Sequence, residues 1–175
     1  MARYVALLRG VNVGGINIKM ADLKAAIVAL GLANVKTVLA SGNVVFDTDR
    51  TDFAGLKSDI ESCLRRTFGY EAWIVLLDQP TLARIVEDFP FEADREGWHP
   101  YVLLSSDPAA LDELYANAET LELAPGERVQ LGDGVLYWHV ERGQTLDSPF
   151  GKSTGKAKYK SSTTNRNLRT LRKLL

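Results

Sequence analysis

Between Arg9 and Lys19 the chain concentrates the residue types that suit an anion: Arg9, Gly10, Asn12, Gly14, Gly15, Asn17 and Lys19 in the run RGVNVGGINIK. Glycines let backbone N–H groups approach a ligand closely, and a helix beginning just beyond adds a partial positive charge. Arg9 and Lys19 supply full charges at the two ends of the run, and two amide side chains lie between them. Ser41 and Asn43, in the turn of a predicted hairpin, and Arg166 and Asn167, in the basic tail, complete the candidate ligand-binding set. The alternative is purely structural. Gly10, Gly14 and Gly15 permit turns, while Asn12 and Asn17 close local side-chain bonds.

Other signatures fail on spacing. The glycines read G-x-N-x-G-G and not G-x-G-x-x-G, and no acid ends the next strand to hold a ribose, so this is no dinucleotide fingerprint. Gly151-Lys152-Ser153-Thr154 resembles the end of a P-loop, but Leu146 stands where that motif needs its first glycine. Ser41 lacks the flanks of a hydrolase nucleophile elbow. The carboxylates Asp47, Asp49, Asp52, Glu92, Asp94 and Glu96 show no spacing that implies an acid/base pair. His99 and His139 are far apart and outside any metal-ligand spacing, and no metal or cofactor is expected. Cys63 follows Phe53, Leu56 and Ile60 at helical spacing, which predicts a buried structural thiol.

The elements that must position the loop follow from hydrophobic period and turn chemistry. Residues 3–8 read as a buried strand, and Met20, Leu23, Ile27 and Leu30 mark a helix that stops at Gly31. Val35 to Ala40 and Val44 to Asp47 flank Ser41-Gly42-Asn43 as an antiparallel hairpin; a helix from Asp52 to Phe68 and a strand from Ala72 to Leu77 follow. Leu82, Ile85, Val86 and Phe89 suggest a short helix, and Pro90 to His99 a loop. A second series begins with a strand at Tyr101 to Leu104 and a helix opened by Asp107-Pro108. It continues with a hairpin around Gly132-Asp133-Gly134 and ends in a helix from Asn165 to Leu174. The pattern predicts an α+β protein of two tandem ferredoxin-like units: residues 1–78, a connection at 79–98, and residues 99–175. Hairpins in this position count against a Rossmann fold, where the second strand would feed a crossover.

Charge is distributed unevenly. Residues 1–46 hold five basic residues against one acid, residues 47–151 eight against 21, and residues 152–175 eight against none. Basic ends can bind a polyanion or dock on the acidic body of their own chain. In the tail, Lys156, Lys158 and Lys160 surround Tyr159, a pairing that suits phosphate contacts and a stacked base, whereas Leu168, Leu171 and Leu174 give the final helix a face for docking. No apolar stretch approaches the roughly 20 residues of a membrane helix, and the N-terminus does not read as a secretory signal. The expected location is the cytoplasm, with no membrane partner.

The segments LLRGVNVGG (residues 7–15), KMADL (19–23), ALG (29–31) and SGNVVF (41–46) together resemble the bacterial family known as domain of unknown function 1697. Thr164-Asn165-Arg166-Asn167 looks like that family's closing T-x-R-N motif, with Leu168 at the position usually held by Trp and a shorter segment before it. The resemblance implies a tandem of ferredoxin-like units and no settled activity. Three functions stay open on the residues alone. One is non-enzymatic binding of a phosphate-bearing ligand, a nucleotide or single-stranded nucleic acid. The others are an enzyme acting on a small anionic metabolite, and a scaffold whose loop is structural.

Overall fold

The computed structural model describes residues 1–11, 16–160 and 162–175. The chain forms an α+β protein with two four-stranded antiparallel sheets. It divides into two compact units, residues 1–82 with 173–175, and residues 83–172.

The first unit runs β1 (Ala2–Leu8), α1 (Met20–Val28), β2 (Ala33–Val38), β3 (Asn43–Thr48), α2 (Phe53–Phe68) and β4 (Ile74–Asp78), with α3 (Gln79–Glu87) crossing into the second. Its sheet has the order β2-β3-β1-β4. Strand alternation sends Ala6, Leu8, Val44, Phe46, Ile74 and Leu76 to one face, where Leu23 and Ile27 of α1 and Leu56, Ile60 and Leu64 of α2 cover them. Each such aliphatic side chain, taken fully out of water, stabilises the fold by about 1.5–3 kcal/mol before entropy is subtracted. Cys63 is buried, and its thiol donates to the Ala26 carbonyl at 3.5 Å, the structural role its helical spacing implies. Where α2 meets the start of β4, Glu61 accepts the Ile74 N–H at 3.1 Å and pairs with Lys57, one turn earlier, at 2.9 Å.

The second unit continues with β5 (Trp98–Ser105), α4 (Pro108–Thr120), β6 (Arg128–Leu131), β7 (Val135–Glu141), α5 (Pro149–Thr154), α6 (Ala157–Lys160), β8 (Thr163–Asn167) and α7 (Leu168–Arg172). Its sheet order, β6-β7-β5-β8, repeats the pattern of the first. Leu103, Leu136, Trp138 and Val140 face Leu111 and Leu114 of α4, Phe150 of α5 and Tyr159 of α6. As its sequence suggests, Asp107 caps α4, accepting the Ala109 N–H at 3.1 Å with Pro108 in the first turn.

The helix expected over Asn165 to Leu174 is a strand followed by a shorter helix. Residues 163–167 pair with β5, Arg166 opposite Val102, because β5 offers an open edge that local periodicity does not reveal. The three leucines keep their docking role, Leu168, Leu171 and Leu174 all being buried. Tyr159, read in the sequence as a possible stacking platform, is likewise buried, its hydroxyl accepting from Asn117 Nδ2 at 2.9 Å. Lys158 pairs with Glu113. Residues 152–159 of the basic segment are therefore a folded part of the second unit. Gly151-Lys152-Ser153-Thr154 lies inside α5, where a Cβ on Gly151 would come within 2.0 Å of the Thr145 carbonyl oxygen. Close helix packing accounts for that glycine.

On the opposite face of the second sheet, the segment expected to be a plain loop supplies Phe91 to an aromatic cluster that also includes Phe89. His139 stacks between Trp98 (5.1 Å between ring centroids) and Phe91 (5.8 Å), and Arg95 covers the Trp98 ring at 4.0 Å. Burial, with Arg95 adding like charge, holds the His139 pKa below its free value of 6.5, against an opposing hydrogen bond to the Glu92 backbone. A depressed folded-state pKa contributes stability that is complete above the unfolded value and is lost as pH falls through the folded one. Thermal melts should thus show the midpoint falling on acidification from about pH 7 to about pH 5. His139→Phe, which preserves the stack, should flatten that slope; an unchanged slope would place the sensitivity elsewhere.

Candidate functional site

The candidate loop sits at the end of the first sheet where several elements meet. Antiparallel pairing places Leu7 opposite Asn43 and Leu8 opposite Ile74, so the exit of β1 adjoins both the β2–β3 turn and the entry to β4. The backbone ties these segments together. Leu8 donates to the Gly42 carbonyl at 2.8 Å, and Arg9 to the Trp73 carbonyl at 3.3 Å. Gly42 adopts φ +82°, and a Cβ there would stand 2.9 Å from the Leu8 Cβ and 3.4 Å from the Val11 Cβ. The hairpin tip is thereby seated against the start of the loop.

Arg9 is the distinctive group. Its guanidinium carbon lies 5.9 Å from the centroid of the Trp73 ring, a cation–π arrangement that holds the side chain over the end of the sheet. The Nε atom is buried and has no hydrogen-bond partner among the described residues. Burial pulls its pKa below the ordinary arginine value, with no charge compensating. The arginines at positions 3, 50, 84 and 172 each pair with an aspartate, and none of the ion pairs among the described residues includes Arg9. An arginine stays charged under all ordinary conditions, so this one is partly desolvated with no counter-ion among the described residues.

Around it, Gly10 has φ +71°. Asn17 and Lys19 are exposed, and Lys19 opens α1 with no side chain capping the helix. The first-turn N–H groups of such a helix carry a partial positive charge. Asn43 is fully buried, and both protons of its amide go to the hairpin itself, to the Val38 carbonyl and Ser41 Oγ, each at 2.8 Å. It shapes the tip. Asn12, Gly14 and Gly15 lie outside the described residues. Ser41 and Asn43 thus join Arg9 and Gly10 at one end of one sheet, as a set drawn from sequence segments far apart.

Arg166 and Asn167 belong to the second unit. Arg166 is buried on β8 and donates to Thr164 Oγ1 at 2.6 Å and to the Asn165 carbonyl at 3.1 Å, while Asn167 Oδ1 accepts the Arg169 N–H at 2.9 Å, at the start of α7. Two residues at the first-unit site were missed by sequence reasoning. Trp73 was legible only as one strand residue among others, although the β1–β4 register places it beside Arg9. Leu39, at the hairpin tip, is about half exposed and has φ +62°, a strained value for a leucine that no sequence signal announces.

A family model described as "Protein of unknown function (DUF1697)" matches residues 1–137. The chain belongs to this family. The match takes in residues 1–82 of the first unit and the second unit as far as Tyr137, within β7. Among solved structures, the chain is similar to the conserved bacterial protein SP0830 from Streptococcus pneumoniae, with 26% identity, 99% of this chain and 96% of that one covered, and a TM-score of 0.83. That likeness extends through both sheets, including the C-terminal segment beyond the family match. An unknown protein from Galdieria sulphuraria is matched at 11% identity, over 95% of this chain and 96% of that one, with a TM-score of 0.28. No curated protein sequence matches the chain. No helix among the described residues is long and apolar enough to cross a membrane, and none of their His, Cys, Asp and Glu side chains gather in a group of three or more that could hold a metal ion.

Proposed function

We propose that this DUF1697 chain is a cytoplasmic, non-enzymatic binding protein for a phosphate-bearing ligand, a nucleotide or single-stranded nucleic acid, taken at the β1–α1 end of the first unit. Arg9 carries the reading: a partly desolvated cation with no ion-pair partner among the described residues, poised on an aromatic ring, is stabilised by an anion brought to it. Lys19, Asn17 and the uncapped start of α1 would add further donors, with Gly10, Asn12, Gly14 and Gly15 letting the backbone close on a phosphate. Ser41 and Asn43 set the wall formed by the hairpin, and Trp73 offers a ring to a base. Since Arg166 and Asn167 already bond within β8 and at the start of α7, the reading rests on the first-unit residues.

The connectivity and strand order of each sheet support reading residues 1–78 and 99–175 as two ferredoxin-like units joined by 79–98. That architecture hosts many chemistries and by itself carries no function. Titrating labelled single-stranded RNA and nucleotides into the protein, with tryptophan fluorescence as a second reporter, tests the proposal. For the nucleic acid, the log of the binding constant should fall against log salt with a slope of roughly −2 to −4, as about three to five phosphate contacts require. A flat response, or no binding of any probe at low salt, overturns it.

A further inference from the structure

The second unit holds another cluster of cations, made from residues that the first-unit site does not use. His99 lies on β5, its ring 5.2 Å from that of Tyr101 two residues on, and the Tyr101 hydroxyl is 3.3 Å from Thr145 Oγ1. The strands flanking β5 each bring an arginine toward this face. Arg142, just past β7, donates its N–H to the Gly97 carbonyl at 2.8 Å, next to the β5 entry. Arg169 follows β8, where Asn167 stands opposite Tyr101. Among the described residues, neither arginine is in an ion pair. The Nδ1 atom of His99 is buried with no partner among those residues. Both arginines lie close enough to His99 for their charges to act on it. Partial burial and then Arg142 and Arg169 all lower its pKa below 6.5. Among the described residues, the charges that act on the ring are those of these two guanidinium groups, both positive, and Tyr101 is its titratable neighbour on the same strand.

A partly buried imidazole whose Nδ1 has no partner among the described residues, set between strands that each bring a cation, is a place that a doubly charged anion would relieve. We propose that His99, Arg142 and Arg169, with the hydroxyls of Tyr101 and Thr145, form an oxyanion site in the second unit for a phosphate or sulfate group, which takes up a proton on His99 as the anion binds. The anion offsets both guanidinium charges, and the imidazole then gains a proton and becomes a third cation facing the ligand. Binding and protonation are linked, so each strengthens the other.

Sulfate is the suitable probe, because it stays a dianion across the range in which histidine titrates. The two histidines of the full chain are followed by NMR at matched ionic strength in potassium sulfate and potassium chloride, with His139→Phe assigning the signals. Sulfate should raise the His99 pKa and leave that of His139 in place, and its affinity should rise several-fold from about pH 8 to about pH 6. Arg142→Ala and Arg169→Ala should each weaken sulfate binding about tenfold with the amide spectrum retained, and His99→Gln should bind with no pH dependence. Arg9→Met should leave the His99 response intact, which separates this site from the proposed first-unit site. Identical histidine titrations in the two salts overturn the proposal, as does undiminished binding by both arginine variants or loss of the response in Arg9→Met.

Discussion

Arg9→Met should lower affinity for a phosphate-bearing probe about ten- to hundredfold while leaving the protein as stable as before, or slightly more so. The two halves of this expectation have one cause. The guanidinium is partly desolvated over Trp73, its Nε atom is buried without a partner, and no carboxylate among the described residues compensates it. In the unliganded protein that arrangement costs free energy, whereas a bound phosphate would turn it into charge-assisted hydrogen bonds. Methionine keeps the aliphatic contact with the indole and removes the charge. Melting curves and probe titrations on the same preparation decide the matter. A loss of several degrees in melting temperature with unchanged binding would make Arg9 a structural residue and favour a scaffold role for the loop. Turnover of a bound probe that vanishes in Arg9→Met would instead favour an enzyme.

Trp138→Ala should destabilise the protein by about 3–5 kcal/mol, enough to unfold a large fraction of a marginally stable domain. Trp138 is almost completely buried in the middle of β7, 5.2 Å between ring centroids from Tyr101 and edge-on to Phe150 at 5.2 Å. Removing the indole leaves a cavity under α5 and takes away the ring against which Tyr101 leans. Trp138→Phe should cost only about 1–2 kcal/mol, because it refills part of the space and eliminates a buried indole N–H that has no hydrogen-bond partner among the described residues. Urea midpoints for the two variants provide the comparison. Equal losses would mean that the indole N–H has a hydrogen-bond partner whose loss the phenyl ring does not make good.

Much of the fold was legible because its signals are local. Residues 41–43 and 132–134 announced the two hairpins, and the leucine and isoleucine spacing in α1 and α2 marked their buried faces. Asp107-Pro108 started a helix where expected. Strand β8 was not legible. Thr163 to Asn167 became a strand because β5 had an edge to fill, and that edge lies far away in sequence. For the same reason Tyr159, flanked by lysines, looked like a binding residue yet fills the core beneath α4.

The candidate site divides along the same line. Arg9, Gly10, Asn17 and Lys19 could be nominated from residue type and spacing, since glycine, amide and cationic side chains advertise their chemistry wherever they stand. Their neighbours could not. Trp73 meets Arg9 through the β1–β4 register, and Gly42 seats the hairpin through contacts with Leu8 and Val11. Likewise, the segments that carry His99, Arg142 and Arg169 come together only because β7 and β8 flank β5. By itself the sequence determined which segments could form strands and helices and which loop carried anion-seeking groups, because those properties reside in neighbouring residues. Only the tertiary structure decided which cations keep a counter-ion and which do not, because an ion pair or a desolvated charge is a property of distance in space.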